Sequence, residues 1–453
     1  MEDFKPEAWV VGSTAATNIS LVDTKEGKIA SFKPSFTYPI FGEAEQVFGY
    51  KNLEMILAFD SRNFTPFLNV KYTDKLDDDL LLEKAKMDAN TDEGYYDDEE
   101  NFDEEGVAVN DDDQSGNEES QSDTEGENFE EPIEFDPLNK LLKFLPKEDI
   151  TIKDEVKWTE KCTKEGSLVK DILEKDGELI STDLKCTVYK INICKFKKIH
   201  DRLKIFTLFF IEGASYIQDD DDVWDVYIIM ENTSSKIIGY ATCYRYWFYD
   251  GESKKFDLLT NVPKDYSYKG RISQFLIFPT FQNQKYGSKL YDSIVDYWLK
   301  DSSIREINIE DPNESFDALR DKNDFQRIVD STFNNKIPIT EFQSMKTSKD
   351  NLETKYINLH SELIETFKFN YKQAQRLLEM IFIYLNLDDF IRLIILKRIY
   401  KQNFELLLDF DKEDRKEKLE DTYESVKQEY FERIPNLIER DEVEEPPKKK
   451  AKV

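Results

Sequence analysis

The chain has 453 residues and a formal net charge of −32, because 94 Asp and Glu residues outnumber 62 Lys and Arg residues. This length is enough for a large buried core and for two or three domains. Such an acidic chain argues against general nucleic-acid binding, which depends on basic groups that release phosphate counterions, and it favours a basic partner. No apolar run approaches the roughly 20 residues of a membrane-spanning helix, so we expect no membrane association.

The cysteines and the N-terminus indicate an intracellular protein. The four cysteines are scattered and form no C-x-x-C pair, which argues against a structural zinc site and fits a reducing compartment. The N-terminal sequence MEDFKPEAW lacks the features of a signal peptide. We therefore expect the protein to stay inside the cell.

Residues 1–87 alternate strand-like runs with turns. The runs NISLV, SFTYPIFG, MILAFDS and PFLNVKYTD are rich in apolar and β-branched residues, which predicts strands. From residue 88 to 131, 20 of the 44 residues are acidic and none is Lys or Arg. Such a segment buries too little apolar surface to offset its ordering entropy. We predict a disordered insertion, which is either a tolerated surface loop or an acidic tract that attracts a basic protein.

Ordered sequence resumes at residue 132 and completes a mixed α/β N-terminal domain over residues 1–200. The run KCTVYKINIC predicts a hairpin, and DRLKIFTLFFIEGASYI has the apolar density of a buried helix and strand. Residues 226–230 and 237–247 predict an antiparallel strand pair joined across residues 232–235.

Residues 271–310 predict a βαβ unit at the centre of a second domain, 201–330. A strand-length apolar run is followed by a polar loop, then by a helix whose stripe contains Leu290, Ile294 and Trp298. An alternating strand ends before Asp311-Pro312, because the residue before Pro avoids helical space. Unpaired N–H groups and the helix dipole favour an anion such as phosphate at loop 282–288. The loop is neither a Walker loop nor a dinucleotide-binding loop.

Beyond residue 330 the pattern becomes helical. Apolar residues recur at helical spacing to about residue 437, which predicts a helical C-terminal domain over 331–437. Residues 438–453 form a tail that ends in PPKKKAKV, a basic cluster of the nuclear-import type that could also be a solvated end. We expect this tail to be disordered and the protein to be both cytoplasmic and nuclear.

Several motifs resemble one family. The pattern Gln282-x-x-Lys285-x-Gly287 resembles the [QR]-x-x-G-x-[GA] loop with which GNAT acetyltransferases hold the pyrophosphate of coenzyme A. The wider similarity is to the type B histone acetyltransferase family over residues 5 to about 435, and it is carried by RISQFLIFP, FQNQKYGSKLY, INIEDPNESFDALRDKND, YPIFGEAEQVFGYKNL, FIEGASYIQDDDDVW and GYATCYRYWFYD. The resemblance implies an α/β fold with a GNAT-type mixed sheet around a central βαβ acetyl-CoA unit, a mixed N-terminal domain and a helical C-terminal domain.

The chemistry of acetyl transfer to lysine calls for a base. A lysine with a pKa near 10.4 is almost wholly protonated at neutral pH, which adds roughly 4–5 kcal/mol to the barrier unless a base removes the proton. Strand alternation places Glu310 on the face opposite Ile307 and Ile309, free to point into a cleft. By resemblance, Glu310 is the family's general base, and Asp311 and Glu212 are its supporting carboxylates.

The resemblance also implies how acetyl-CoA is held as the co-substrate. A strand end would bond the pantetheine arm and the loop would wrap the pyrophosphate, through Phe275, Leu276, Ile277, Gln282, Asn283, Gln284, Lys285, Tyr286, Gly287 and Ser288, with Asn313 and Lys322 nearby. The thioester supplies an activated acyl group, so we expect no metal. Lys285 stands where the family has glycine. A left-handed backbone there would cost roughly 1–2 kcal/mol, while the lysine charge would attract phosphate.

The same resemblance implies a basic protein substrate. It places the N-terminal tail of histone H4 against Glu43, Ala44, Glu45, Tyr244, Arg245 and Tyr246, and acidic side chains suit a basic peptide. It further implies newly made, soluble histone H4 together with H3, a WD40-repeat histone-binding subunit as partner, and no direct nucleic-acid contact. Two alternatives stay open: a GNAT enzyme for another protein amine, such as an N-terminus, and an acidic histone chaperone whose acetyl-CoA site has decayed.

Overall fold

The structure is a computed structural model that describes residues 6–77, 136–249, 267–333, 351–385 and 387–434. The predicted acidic insertion at 88–131 and the predicted basic tail at 438–453 lie outside these described residues. The chain forms two compact units. The first comprises residues 1–60, 64–164 and 208–212, and the second comprises residues 61–63, 165–207 and 213–453.

The first unit is a mixed α/β assembly. After a 3₁₀ turn at Pro6–Trp9, its elements in chain order are β1 Val10–Gly12, α1 Ser13–Ala16, β2 Thr17–Asp23, β3 Lys28–Phe32, α2 Tyr38–Phe41, β4 Gln46–Phe48, β5 Tyr50–Lys51, β6 Glu54–Asp60, β7 Pro66–Lys71, β8 Asp74–Lys75, α3 Pro137–Lys143, β9 Thr151–Ile152 and α4 Glu155–Lys164. The main sheet has the strand order β3-β2-β6-β7-β9, and β1–β4 and β5–β8 form two-stranded pairs. β2 and β6 run parallel, whereas β6 and β7 run antiparallel.

β6 is the middle strand of this sheet and is buried on both faces over most of its length. Met55, Leu57 and Phe59 on one face are fully buried, and Ala58 and Asp60 on the other face are buried as well. Trp158 of α4 covers the sheet, and its indole N–H donates to the carbonyl of Thr65 at 3.0 Å. The strands predicted at NISLV, MILAFDS and PFLNVKYTD are confirmed as β2, β6 and β7.

The strand predicted at SFTYPIFG is wrong, because residues 38–41 form the short helix α2. Pro39 in its first turn has no N–H to donate to a sheet ladder. The carboxylate of Glu45 accepts hydrogen bonds from the backbone N–H groups of Thr37 and Tyr38. Local capping therefore overrides the β propensity of this run.

The second unit begins with a sheet and ends with helices. Its elements are α5 Leu168–Asp176, β10 Glu178–Thr182, β11 Cys186–Asn192, α6 Ile193–Leu203, α7 Ile205–Phe210, β12 Trp224–Glu231, β13 Ile237–Trp247, β14 Tyr268–Ile277, a 3₁₀ turn at Pro279–Phe281, α8 Tyr286–Lys300, β15 Ile304–Ile309, α9 Glu314–Phe333, α10 Leu352–Phe367, α11 Tyr371–Tyr384, α12 Asp388–Gln402, α13 Phe404–Leu408 and α14 Lys412–Arg433. The last residues of α7 belong to the first unit. Among the described residues, no helix has both the length and the apolar character needed to cross a bilayer.

Six strands form one sheet in the order β10-β11-β12-β13-β14-β15. Neighbouring strands run antiparallel as far as β14, and β14 and β15 run parallel. The predicted antiparallel pair β12–β13 and the predicted βαβ unit β14–α8–β15 are both confirmed. Leu290, Ile294 and Trp298 of α8 are buried against this sheet, as the helical stripe predicts.

Two sequence predictions in this unit are wrong. The hairpin predicted within KCTVYKINIC is one strand, β11, followed by the first residues of α6; the other arm of the hairpin is β10. Asn192 ends the strand because its side chain caps the helix by accepting the N–H of Cys194 at 3.1 Å. The strand predicted within DRLKIFTLFFIEGASYI is absent from this described segment, which forms helices α6 and α7 and then irregular chain.

The helical C-terminal region is confirmed, and its elements pack on the edge of the sheet. Phe325 and Ile328 of α9 join the buried core of the helices that follow. At the edge strand β15, the N–H of Ile307 donates to the carbonyl of Lys368 at 2.7 Å. The Lys368 ammonium in turn caps α8 by donating to the carbonyls of Trp298, Leu299 and Asp301 at 2.6–3.1 Å. The α10–α11 connection therefore covers an otherwise unpaired strand edge.

Candidate active site

The first feature of the site is the divergence of β14 from β15. Their parallel register ends at the pair Ile272–Ile309, and the N–H of Glu310 donates to the carbonyl of Ile272 at 2.9 Å. β14 continues for five more residues along β13, as far as Ile277. The two strands of the βαβ unit are thus splayed at the end where α8 begins.

The splay leaves the edge of β14 open to a ligand. The N–H of Phe278 donates to Ile238 on β13 at 3.0 Å. Since backbone groups alternate in direction along a strand, Leu276 also faces β13, whereas the backbone groups of Phe275 and Ile277 face the splay. A pantetheine arm could form β-like hydrogen bonds with Phe275 and Ile277, whereas the backbone of Leu276, the third strand residue predicted to hold it, is directed toward β13.

The second feature is the loop between β14 and α8. Gln282, Asn283, Gln284 and Lys285 are all exposed. Two of these side chains brace the loop: Gln282 donates to the carbonyl of Ile277 at 2.9 Å and Gln284 to that of Thr280 at 3.1 Å. The first turn of α8 follows directly at Tyr286, Gly287 and Ser288, so its unpaired N–H groups open toward the exposed loop. This arrangement fits a pyrophosphate group.

Lys285 has a left-handed backbone, with φ 68° and ψ 8°, and it is the N-cap of α8. The strained conformation that glycine would relieve is therefore present. Asn283 is also left-handed, with φ 59°. At Gly287, the next motif position, a Cβ would lie 2.8 Å from Cδ1 of Leu319 on α9, so that side chain would have to shift.

Glu310 lies directly after β15, on the face predicted from strand alternation. Its Oε1 is 3.6 Å from an Arg271 terminal nitrogen, and the Glu310 side chain is 36% exposed. Ile307 and Ile309 instead pack in the core beneath α8. Burial first, and then the charge of Glu310, raise the pKa of the neighbouring Tyr244 hydroxyl.

The chain turns sharply after Glu310. Asp311 is exposed and has a positive φ of 35°. Asn313 caps α9, because its side chain accepts the N–H of Phe316 at 2.9 Å. Phe316 packs edge-on against Phe275 with ring centroids 4.9 Å apart, which joins α9 to the open end of β14. Lys322, on the same helix, is exposed.

The predicted substrate residues of β13 point in two directions. Tyr244 and Tyr246 share the face of Glu310, and both hydroxyls accept hydrogen bonds from Arg271. Arg245 points to the opposite face, where it lies 3.5 Å from Asp301. The histone-binding role of all three residues stays a prediction.

Four other predicted site residues belong to the first unit. Glu43 and Ala44 are exposed loop residues, and Glu212 follows α7. The carboxylate of Glu45 is already engaged by Thr37 and Tyr38. The N–H of Thr37 contributes most to holding the pKa of Glu45 below its usual range. This carboxylate thus stabilises its own loop, and the histone-binding role of Glu43, Ala44 and Glu45 stays a prediction.

One group of potential metal ligands occurs among the described residues, at His200, Asp201 and Asp219. The ammonium of Lys204 donates to Asp201 at 2.6 Å and to Asp219 at 2.9 Å, and Lys197 donates to Asp219 at 2.5 Å. Lysine cations thus already hold the carboxylate oxygens that a metal ion would use. The group fits an ion-pair network better than a metal site.

Sequence reasoning did not single out Arg271 or Asn308. Both lie on the face of Glu310, and Asn308 donates to the Tyr246 hydroxyl at 3.2 Å. Alternation of polar and apolar residues along β14 and β15 is the signal for their common face. That signal becomes specific only when the pairing register of β13, β14 and β15 is known.

A splayed parallel strand pair with an exposed loop at the start of the connecting helix is the arrangement expected of a GNAT-type acetyltransferase. The sequence model of the GNAT acetyltransferase family matches residues 193–319. Glucosamine-6-phosphate N-acetyltransferase from Arabidopsis thaliana is a similar solved structure, with 15% identity, coverage of 30% of this chain and 89% of that chain, and a TM-score of 0.22.

A second model, described as the N-terminus of histone acetyl transferase HAT1, matches residues 9–130 and 114–212. The histone acetyltransferase type B catalytic subunit of Kluyveromyces lactis is 35% identical over 434 residues, which cover 94% of this chain and 92% of that protein. The Candida glabrata protein of the same name is 35% identical over 456 residues, covering 100% and 99%. The chain belongs to the family of histone acetyltransferase type B catalytic subunits.

Proposed function

We propose that the protein transfers the acetyl group of acetyl-CoA directly to lysine side chains in the N-terminal tail of newly made, soluble histone H4. The observation that supports this most strongly is the position of Glu310. Its carboxylate lies at the end of β15, beside the point where β14 leaves the ladder and opens its backbone groups to a ligand. A thioester bound along β14 would therefore lie beside a carboxylate base.

The proposed reaction needs two proton transfers and one acyl transfer. Glu310 accepts a proton from the lysine ammonium, and the neutral amine then attacks the thioester carbonyl. Collapse of the tetrahedral intermediate breaks the carbon–sulfur bond, and the second proton of the amine nitrogen passes to the coenzyme A thiolate, so the products are the amide and the coenzyme A thiol. Binding in the splay contributes by orienting the two reactants, which converts a bimolecular step into one within a complex.

The residues around the splay have separate proposed roles. The backbone of Phe275 and Ile277 holds the pantetheine arm, and the loop 282–288 holds the pyrophosphate. Asp311 and Glu212 support the base, while Asn313 and Lys322 lie near the cofactor. Tyr244, Arg245 and Tyr246, together with Glu43, Ala44 and Glu45, contact the histone tail.

The proposed partners are basic or histone-binding proteins. Histone H4 would be bound together with H3, and a WD40-repeat histone-binding subunit would complete the assembly. The net charge of −32 suits such basic substrates. We also propose a cytoplasmic and nuclear location and no direct nucleic-acid contact.

A competition between lysine and N-terminal amines tests this proposal. One H4-tail peptide has a blocked N-terminus and its lysines; the other has a free N-terminus and arginine in place of each lysine. We expect mass spectrometry to find acetylation on the lysines of the first peptide. Transfer to the second alone would indicate an N-terminal acetyltransferase. Calorimetry that shows no acetyl-CoA binding at near-millimolar concentration would leave the histone chaperone alternative.

A further inference from the structure

Arg271 lies at the centre of the polar face that contains Glu310. The strand register aligns Tyr244 of β13, Arg271 of β14 and Asn308 of β15. Residues two apart on one strand share a face, so Tyr246 and Glu310 lie on this side as well. On this face the Arg271 guanidinium therefore lies between the two tyrosine hydroxyls and the Glu310 carboxylate.

The contacts of Arg271 use the fork geometry of its guanidinium. One terminal nitrogen donates to the Tyr244 hydroxyl at 3.0 Å and the other to the Tyr246 hydroxyl at 3.1 Å. The guanidinium carbon lies 5.7 Å and 4.8 Å from the two ring centroids. The Tyr246 hydroxyl also accepts the Asn308 amide at 3.2 Å, so the far side of the fork is braced from β15. Two hydrogen bonds from a planar guanidinium restrict the arginine side chain more than the bonds of a flexible ammonium would restrict a lysine.

The nitrogen that bonds Tyr244 also lies 3.6 Å from Oε1 of Glu310. Glu310 stands outside the strand, and only its N–H is tied back to β14, at 2.9 Å from the carbonyl of Ile272. A partly exposed carboxylate at a strand end has several rotamers of similar energy. Arg271 favours a rotamer in which the carboxylate faces the guanidinium, because Tyr244 and Tyr246 hold the guanidinium in place.

We infer that Arg271 is a positioning residue that orients the Glu310 carboxylate for proton transfer. This inference rests on the proposed function of Glu310 as the base. As a partly exposed ion pair, the contact adds little to stability, so its main effect should be on the rate of chemistry.

A double-mutant cycle tests the inference. Arg271→Gln should lower kcat for an H4-tail peptide by about 10- to 100-fold while acetyl-CoA affinity, measured by calorimetry, changes by less than about three-fold. Combined with Glu310→Gln, it should add less than about a three-fold further loss, because the residue through which it acts is already disabled. Arg271→Lys retains a cation but loses the fork, so we expect an intermediate rate.

The matched control is Arg305→Gln, since Arg305 is an exposed β15 residue whose guanidinium donates to Ser267. We expect the control to keep the wild-type rate. Losses that multiply in the double mutant, or an Arg271→Gln variant with unchanged kcat, would overturn the inference while leaving Glu310 as the base. A fully active Glu310→Gln variant would overturn both. If Arg271→Gln does not fold, the same cycle with Arg271→Lys decides between these outcomes.

Discussion

At the scale of single residues, the proposed proton transfer depends on the carboxylate of Glu310. We expect Glu310→Gln to lower turnover by about 10²–10⁴-fold, because the amide has nearly the same shape and cannot accept the proton. Acetyl-CoA affinity should stay nearly constant, since the proposed role of the side chain is toward the acceptor amine and not toward the cofactor. Single-turnover acetylation of an H4-tail peptide and calorimetry measure these two effects.

The control for this prediction is Glu314→Gln, an exposed carboxylate in the first turn of α9. Its turnover should match wild type. More than about a tenth of the wild-type rate in Glu310→Gln, under conditions where chemistry limits, would rule out Glu310 as the base. Glu212 would then be the next candidate.

Lys285 combines backbone strain with a charge, and two substitutions separate them. Lys285→Gly removes a left-handed residue that costs about 1–2 kcal/mol and adds about 0.5–1 kcal/mol of chain entropy to the unfolded state. We expect the unfolding free energy to rise by up to about 1 kcal/mol. Because the strain is relieved in free and bound protein alike, acetyl-CoA affinity should report mainly the lost cation and fall a few-fold, more at low salt.

Lys285→Gln is the matched variant, since it removes the charge and keeps the strain. Its acetyl-CoA affinity should fall as in Lys285→Gly, and its denaturation midpoint should not rise. Equal affinities for all three proteins at two ionic strengths would show that Lys285 points away from the phosphates.

At the scale of secondary-structure elements, the site depends on close approach between β13 and β14. A Cβ on Gly239 would lie 2.3 Å from the carbonyl oxygen of Leu276, so the two strands could not keep their spacing. We expect Gly239→Ala to destabilise the protein by about 1–3 kcal/mol in denaturant titrations. It should also weaken acetyl-CoA binding, because the displaced strand carries Phe275 and Ile277.

Gly12→Ala is a suitable comparison. Its Cβ would meet the nearest atom, Cβ of Ala15, at 3.9 Å, which is ordinary contact, and its φ of −62° suits any residue. We expect its stability to stay within about 0.5 kcal/mol of wild type. Equal stabilities for the two variants would contradict the steric role of Gly239.

At the scale of the whole molecule, charge governs the expected interaction with histones. Residues 88–131 contribute 20 of the 94 acidic residues. We expect their deletion to leave acetylation of a short H4-tail peptide nearly unchanged, because the splay and the base lie at residues 272–310. An effect of charge would appear as a slower, less salt-dependent association with full-length histone in stopped-flow measurements. A deletion variant that does not fold would contradict the prediction of an insertion.

Local sequence patterns determined the central unit of this protein. The period of the apolar residues predicted the β14–α8–β15 unit, and the α8 stripe at Leu290, Ile294 and Trp298 is buried as expected. Strand alternation predicted the face of Glu310, and the loop motif predicted where α8 begins. These features depend on residues close together in the chain. Local backbone geometry alone fixes which way their side chains point, whatever they pack against.

Tertiary structure alone decided which distant residues meet. β11 forms a hairpin with β10, because strand pairing depends on the whole sheet. The segment that was predicted to be a hairpin by itself contains Asn192, which caps a helix. Glu45 is held by its own loop, and Arg245 faces Asp301 while its two tyrosine neighbours face Arg271. Strand register brings Arg271 within reach of Glu310 across a gap of 39 positions in the chain. Register is set by the packing of side chains from many segments, so no local pattern specifies it.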